Sequence, residues 1–204
     1  MIRICIGIIL TLLLPAVVHA QPQCDVRGAV GGAVGWLILD TPVDPALAGA
    51  GRNGLASTTG TGLEGSAHVI LPIDRGWGFT AEAGTGRMAV AVERDESGAS
   101  VTERTSDDAT LGRIVAGLMK TRAGYRSCTY FGVRLGVYRY GYRGVSLNAG
   151  GISAMMGGDI PLSESGALFF ELEFSVAITE ARPPLTPSGV VPNVRPSFGY
   201  RYRF

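Results

Sequence analysis

Apolar and polar residues alternate along most of the chain with the period of two that is typical of β-strands. In the clearest segment, apolar side chains from Leu168 to Ile178 share one face of the strand. Glu171 and Glu173 share the opposite face. The pattern predicts an all-β fold with eight strands, at about residues 26–39, 66–73, 78–93, 111–121, 129–142, 150–162, 167–178 and 190–204.

The lengths of the strands and of their connections favour a membrane barrel. Several segments reach the ~9–11 residues that a tilted strand needs to cross a bilayer. The connections after strands one, three, five and seven (residues 40–65, 94–110, 143–149 and 179–189) are longer than the other three. Short turns at one end and longer loops at the other are typical of transmembrane barrels, and they place both termini at the short-turn end.

Two segments are less regular than the others. Gly84-Thr85-Gly86 predicts a β-bulge inside the third strand, because glycine in a strand interior often marks a bulge. The fourth strand has no clear inward and outward phase.

Charged residues on the strands predict what fills the barrel. A strand can cross hydrocarbon only within a closed sheet, and charges facing lipid are costly, so the charges should point inward. Because strands seven and eight are neighbours, we expect Glu171 and Glu173 to meet Arg201 and Arg203. Paired charges of both signs predict a plugged interior, and an ion or proton path is the alternative. The predicted inward residues are Arg27, Glu82, Arg134, Glu171, Glu173, Arg201 and Arg203.

Composition is consistent with an exported membrane protein. The 204 residues carry a formal charge of +1 and include 30 glycines, and the low net charge argues against a nucleic-acid partner. Residues 1–20 have the basic start, apolar stretch and small-residue end of a cleaved signal peptide, with an uncleaved anchor as the alternative. Residues 21–204 then form one barrel domain. In an oxidising compartment, Cys24 and Cys128 are expected at the same end and could form a disulfide.

The last strand carries a recognisable signature. Phe198, Tyr200, Tyr202 and the terminal Phe204 alternate along it. This resembles the C-terminal strand by which the barrel-assembly machinery recognises bacterial outer membrane proteins. Over nearly all of residues 24–204, the chain resembles small OmpA/OmpX-type outer membrane β-barrel proteins. The resemblance implies a cell outer membrane of the Gram-negative type, with lipids and lipopolysaccharide around the barrel. We expect a monomer.

Candidate chemistry is sparse. Residues 60–65 match a dinucleotide-binding glycine pattern, but they precede a strand, so a flexible loop is predicted. His68 is the one histidine after the signal peptide, which excludes a multi-histidine metal site, and we expect it near the outer end of strand two. Residues 146–150 faintly resemble the Ser-Asn-Ala stretch of lipid A deacylases.

The remaining features favour structural roles. An acidic group in the second long loop is predicted to be solvated, with weak cation binding as the alternative; it comprises Asp95, Glu96, Asp107 and Asp108. Interfacial aromatic girdles are predicted among Trp36, Trp77, Tyr130, Tyr138, Tyr140 and Tyr142.

The sequence therefore predicts a non-enzymatic outer membrane barrel with no catalytic residue, cofactor or metal site. Its role would be structural, or it would contact an unknown partner through its extracellular loops. A lipid A-modifying enzyme, a soluble calyx for an apolar ligand and a narrow pore are the alternatives.

Overall fold

The computed structural model describes residues 27–40, 56–96, 99–123, 127–142, 145–179 and 189–204, and they form a closed antiparallel barrel. Each strand pairs with the next, and the first pairs with the last. The predicted all-β, eight-stranded fold is confirmed. The strands are β1 (Ala29–Asp40), β2 (Ala56–Asp74), β3 (Trp77–Glu96), β4 (Ala99–Ala123), β5 (Cys128–Tyr142), β6 (Val145–Pro161), β7 (Gly166–Thr179) and β8 (Gly189–Arg203).

The seam between β1 and β8 closes the sheet. Ala29 pairs with Arg203, and the same register holds as far as Leu39 and Asn193. The backbones approach closely here, since a Cβ on Gly199 would lie 2.1 Å from the carbonyl oxygen of Gly32. No helix in the described ranges is long and apolar enough to cross a bilayer.

The two ends of the barrel differ. One end, called the turn end below, carries the tight turns at residues 75–76 and 162–165. Arg75 and Gly76 both have positive φ there, which gives a two-residue hairpin between β2 and β3. The opposite end, called the loop end, carries the connections between β1 and β2, β3 and β4, β5 and β6, and β7 and β8.

Three sequence predictions about the strands are wrong. Residues 56–65 belong to β2, so the glycine pattern at residues 60–65 is strand and not loop. Most of the predicted connection at residues 94–110 is also strand. The register is unbroken from Gly84 to Gly86, and the irregularity lies between Met88 and Ala91. Gly84 serves packing instead, because a Cβ there would lie 2.4 Å from an oxygen of Glu64.

The barrel is apolar outside and polar at its centre. On β5, Phe131 and Leu135 are 58% and 66% exposed, whereas Arg134 between them is 1% exposed. The same alternation continues around the wall, and large exposed apolar side chains occur on every strand. This arrangement is the reverse of a soluble protein and matches a sheet that is surrounded by lipid.

Two apolar clusters fill the ends of the interior. The cluster at the turn end contains Ala29, Ile70, Met119, Tyr130 and Met155. The cluster at the loop end includes Leu37, Leu111, Tyr138, Tyr140, Tyr142 and Leu147. The four tyrosines predicted for the girdles therefore point inward, because they share the phase of Arg134 on β5. Trp36 and Trp77 lie outside, at 51% and 43% exposure.

Candidate functional site

Seven charged side chains form a connected network at the centre of the barrel. They come from six of the eight strands, and each residue is at most 5% exposed. We call this set the charge lattice; it consists of Glu64, Glu82, Arg113, Arg134, Glu171, Glu173 and Arg195.

Arg113 on β4 bridges three carboxylates. Its Nε donates to Oε1 of Glu64 at 2.8 Å, and its Nη1 donates to Oε2 of Glu173 at 3.0 Å. Its Nη2 donates to Glu82. The planar guanidinium presents donors in several directions at once, so one arginine can hold carboxylates from β2, β3 and β7.

Arg134 and Arg195 complete the lattice from opposite sides. Arg134 donates to Glu82 at 2.6 Å, to Glu171 at 2.7 Å and to Glu173 at 2.9 Å. Arg195 donates to Glu173 at 2.8 Å and lies 3.0 Å from an oxygen of Glu82. Such sharing offsets the cost of removing these charges from water.

A second group of charges lies toward the turn end. Arg201 and Arg203 contact Asp159 at 3.1 and 2.8 Å. Arg201 also donates to the hydroxyl of Tyr130 at 3.0 Å, and that hydroxyl donates to Glu171 at 3.2 Å. Together with the lattice, five arginines face five carboxylates, so these interior charges balance.

The structure places most of the predicted inward charges inside the barrel. Glu82, Arg134, Glu171, Glu173 and Arg201 are buried there, and Arg203 is partly buried.

Two expectations about these charges are wrong. Arg27 is exposed and precedes the first residue of β1, so it is not part of the buried interior. Glu173 lies opposite Arg195, while Arg201 lies opposite Ala167. The glutamates therefore meet Arg195 and the arginines of β4 and β5, and Asp159 is the partner of Arg203.

Four interior charges were missed from the sequence. Glu64 was assigned to a loop, and Arg113 lies on the strand whose phase was unclear. Arg195 has the same parity as Arg201 on β8, and that signal could have identified it. Asp159 lies at the end of a strand rich in glycine and methionine, where the pattern is weak.

The residues considered for catalysis do not come together. The ring of His68 points inward, against Phe169, and the residue lies closer to the turn end than to the loop end. The prediction that it lies near the outer end of β2 is therefore wrong. Ser146 is exposed on the outside of the barrel, where it accepts a hydrogen bond from Arg139 at 3.3 Å.

The chemistry of the carboxylates favours ion pairs over a metal ion. Oxygens of Glu82, Glu171 and Glu173 lie within 4.8 Å of one another, a spacing that a cation could bridge. Each of these carboxylates already accepts hydrogen bonds from arginine. The guanidinium groups supply the positive charge that a metal would supply.

The remaining predicted sites lie at the turn end or outside the described residues. Cys128 begins β5, is buried and is disulfide-bonded. Cys24 lies outside the described residues, so its pairing stays a prediction. The acidic residues predicted to lie in the second long loop are part of β3 and β4, and the structure does not describe their side chains. They are Asp95, Glu96, Asp107 and Asp108.

The signature residues of β8 face outward at the turn end. Phe198, Tyr200, Tyr202 and Phe204 are between 46% and 67% exposed. The backbone N–H of Phe204 donates to the carbonyl of Gly28 at 2.8 Å, which fixes the end of the chain beside β1.

A closed sheet with an apolar exterior and a charged centre defines an integral transmembrane β-barrel of the outer-membrane type. Neisserial surface protein A has the same fold: its crystal structure superimposes with a TM-score of 0.59 at 12% identity, over 87% of this chain and 97% of that one. OprG from Pseudomonas aeruginosa superimposes less closely, with a TM-score of 0.49 at 13% identity over 89% and 98% of the two chains. No family model matches the sequence, and no curated protein matches it.

Proposed function

We propose that this protein is a non-conducting, non-enzymatic outer membrane barrel that holds extracellular segments at the cell surface for contact with a partner. The observation that carries the proposal is the filled interior. The charge lattice and the two apolar clusters occupy the centre and both ends of the barrel.

The packing of the lattice argues against an ion path. A conducting pore needs polar groups that face water along its length, whereas these guanidinium and carboxylate groups face one another. An ion that entered would have to displace several charge-assisted hydrogen bonds at once. The apolar cluster at the loop end is a second barrier, because an ion would lose its hydration there.

The distribution of polarity also argues against a soluble calyx. Such a protein has an apolar cavity inside and polar residues outside, whereas this barrel has its ion pairs inside and its apolar belt outside. Against the enzyme alternative stands the placement of His68 and Ser146 on opposite sides of the wall.

Planar-bilayer recording tests the proposal. The refolded protein, checked for a closed barrel by heat-modifiable migration on a gel, is expected to give no stepwise conductance. Reproducible current steps from protein that passes this check would refute the non-conducting role.

Lipid A analysis tests the second part of the proposal. Cells that express the protein and cells that express the H68A variant are expected to have the same lipid A acyl pattern. A change that requires His68 would contradict the non-enzymatic role.

A further inference from the structure

The outer wall carries an apolar groove that no interior feature explains. Its volume is about 1250 Å³, and it crosses the outward faces of β1 to β5, with the smallest side chains on β1 to β4. Larger residues such as Val34, Ile114 and Phe198 border it. The floor consists of Gly32, Gly65, Ala67, Ala83, Thr85 and Gly112.

The groove runs obliquely from one end of the barrel toward the other. Gly65, Thr85, Gly112 and Arg139 are successive partners across β2 to β5. On β1 the groove starts near the turn end, at Gly32, whereas Arg139 lies three residues before the end of β5 at the loop end. Four strand spacings of about 4.8 Å give a path of roughly 19 Å from β1 to β5, which suits an extended acyl chain.

The loop end of the groove is positively charged. Arg139 lines it together with Asn148. Arg87 is exposed on β3 and pairs with Thr110 on β4. Gly112, two residues further along β4, pairs with Arg139 on β5. Two arginines therefore flank β4 on the outer face, about 12 Å apart from two strand spacings and the offset of two residues along the strand.

Both arginines lie at the boundary of the apolar belt. On β3, Arg87 follows Trp77 by ten residues. At about 3.3 Å per residue and a tilt of about 40°, this is a rise of roughly 25 Å, the height of the lipid-facing band of a barrel. The guanidinium groups are thus at the depth of lipid headgroups in the leaflet at the loop end.

We propose that this groove is a binding site for a phosphorylated glycolipid of the outer leaflet, of the lipid A type. An acyl chain lies along the small-residue floor, and Arg139 and Arg87 bind phosphate at the loop end. The face is immersed in the bilayer, so a lipid covers it, and the positive charge at its outer end selects an anionic headgroup. The inference rests on the proposed orientation, with the loop end outside the cell.

Three glycines supply a matched set of variants. A Cβ on Gly65, Gly112 or Gly150 would meet nothing within 4 Å, so a side chain can extend outward from each position without a clash at its first carbon. Gly65 and Gly112 lie in the groove, whereas Gly150 faces outward on β6 and does not line it. G65L and G112L therefore fill the groove, and G150L adds the same side chain elsewhere on the wall.

Binding of purified bis-phosphorylated lipid A to the detergent-solubilised barrel, measured by native mass spectrometry, tests the site. The variants G112L and R139Q are each expected to raise the apparent Kd for lipid A about tenfold, because each removes part of the contact between the lipid and the groove. G150L is expected to bind as the wild type does, and dephosphorylated lipid A should bind the wild type more weakly.

Three results would overturn the proposal: unchanged binding by both G65L and G112L, an equal loss in G150L, or phosphatidylglycerol that binds as tightly as lipid A. Heat-modifiable migration of every variant shows that the barrel is closed. The conductance test of the proposed function is independent of this measurement, so the two proposals can fail separately.

Discussion

At the scale of single residues, burial decides which charges matter. Arg134 contacts three carboxylates at 1% exposure, while Arg75 contacts Asp74 from an exposed position in the turn between β2 and β3. Removal of one partner from a buried network leaves an uncompensated charge, whereas an exposed charge is screened by water. The two arginines should therefore respond differently to the same substitution.

We expect R134M to lower the free energy of unfolding by about 3–5 kcal/mol, because Glu82, Glu171 and Glu173 lose a shared donor. Urea titration of the barrel in micelles measures it. R75M is the control, with an expected loss below about 1 kcal/mol, because its ion pair with Asp74 is exposed to water. Equal losses in the two variants would show that the lattice does not hold the barrel together.

Gly84 is a second residue whose size matters. G84A places a methyl group against Glu64, so we expect it to destabilise the barrel, by about 1–3 kcal/mol. G150A, which points into open space, is the control and should be neutral within about 0.5 kcal/mol. The same titration checks both, and a neutral G84A would contradict the packing role.

At the scale of the strand, the period of two made most of the fold predictable. On β5 and β7 the alternation is strict, so the inward and outward faces could be assigned from the sequence. On β8, Arg195 and Arg201 are separated by an even number of residues, so placing Arg201 inside the barrel predicts that Arg195 also points inward. What the alternation cannot show is which inward residues lie opposite one another, since the offset between neighbouring strands depends on closure of the whole sheet.

Strand ends and weak patterns account for the other errors. β2 begins in residues whose glycine and threonine content is typical of loops, and pairing with β1 and β3 makes them strand. Arg113 was missed because small residues on β4 obscure its phase. In both cases the neighbouring strand supplies the information that the local sequence lacks.

The lipid-facing surface of β5 gives a prediction at this scale. L135R places a charge near the middle of the belt and should cost about 2–4 kcal/mol of folding stability, whereas T129R, near the turn end, should cost about 0–1 kcal/mol. Unfolding of the barrel in lipid vesicles measures the difference. A similar cost at both positions would contradict the assigned depth.

β8 gives a prediction about assembly. F204A is expected to reduce the amount of heat-modifiable protein in the outer membrane severalfold, because the barrel-assembly machinery is proposed to recognise the aromatic end of this strand. V190A, at the other end of β8 and similarly exposed, should have little effect. Normal levels of the F204A protein would show that the terminal phenylalanine is not an assembly signal in this chain.

At the scale of the whole molecule, the barrel has three interior layers and one continuous exterior. The charged layer lies between two apolar ones, which keeps bulk water away from the ion pairs and strengthens them. Among the described residues, the apolar belt of the exterior is interrupted by the groove, which has Arg139 at its loop end. We therefore expect lipids to bind at the outer wall and other partners at the loop end, and we expect no ligand to pass through the centre of the barrel.

The charge lattice draws on six strands, so it can form in only one alignment of the chain. A slip of a single residue in any of these strands would turn a guanidinium or carboxylate toward hydrocarbon and bring a bulky apolar side chain inward. A barrel with such a slip would carry the cost of charges that face lipid. The ion pairs therefore help to specify the strand register as well as to stabilise the closed barrel.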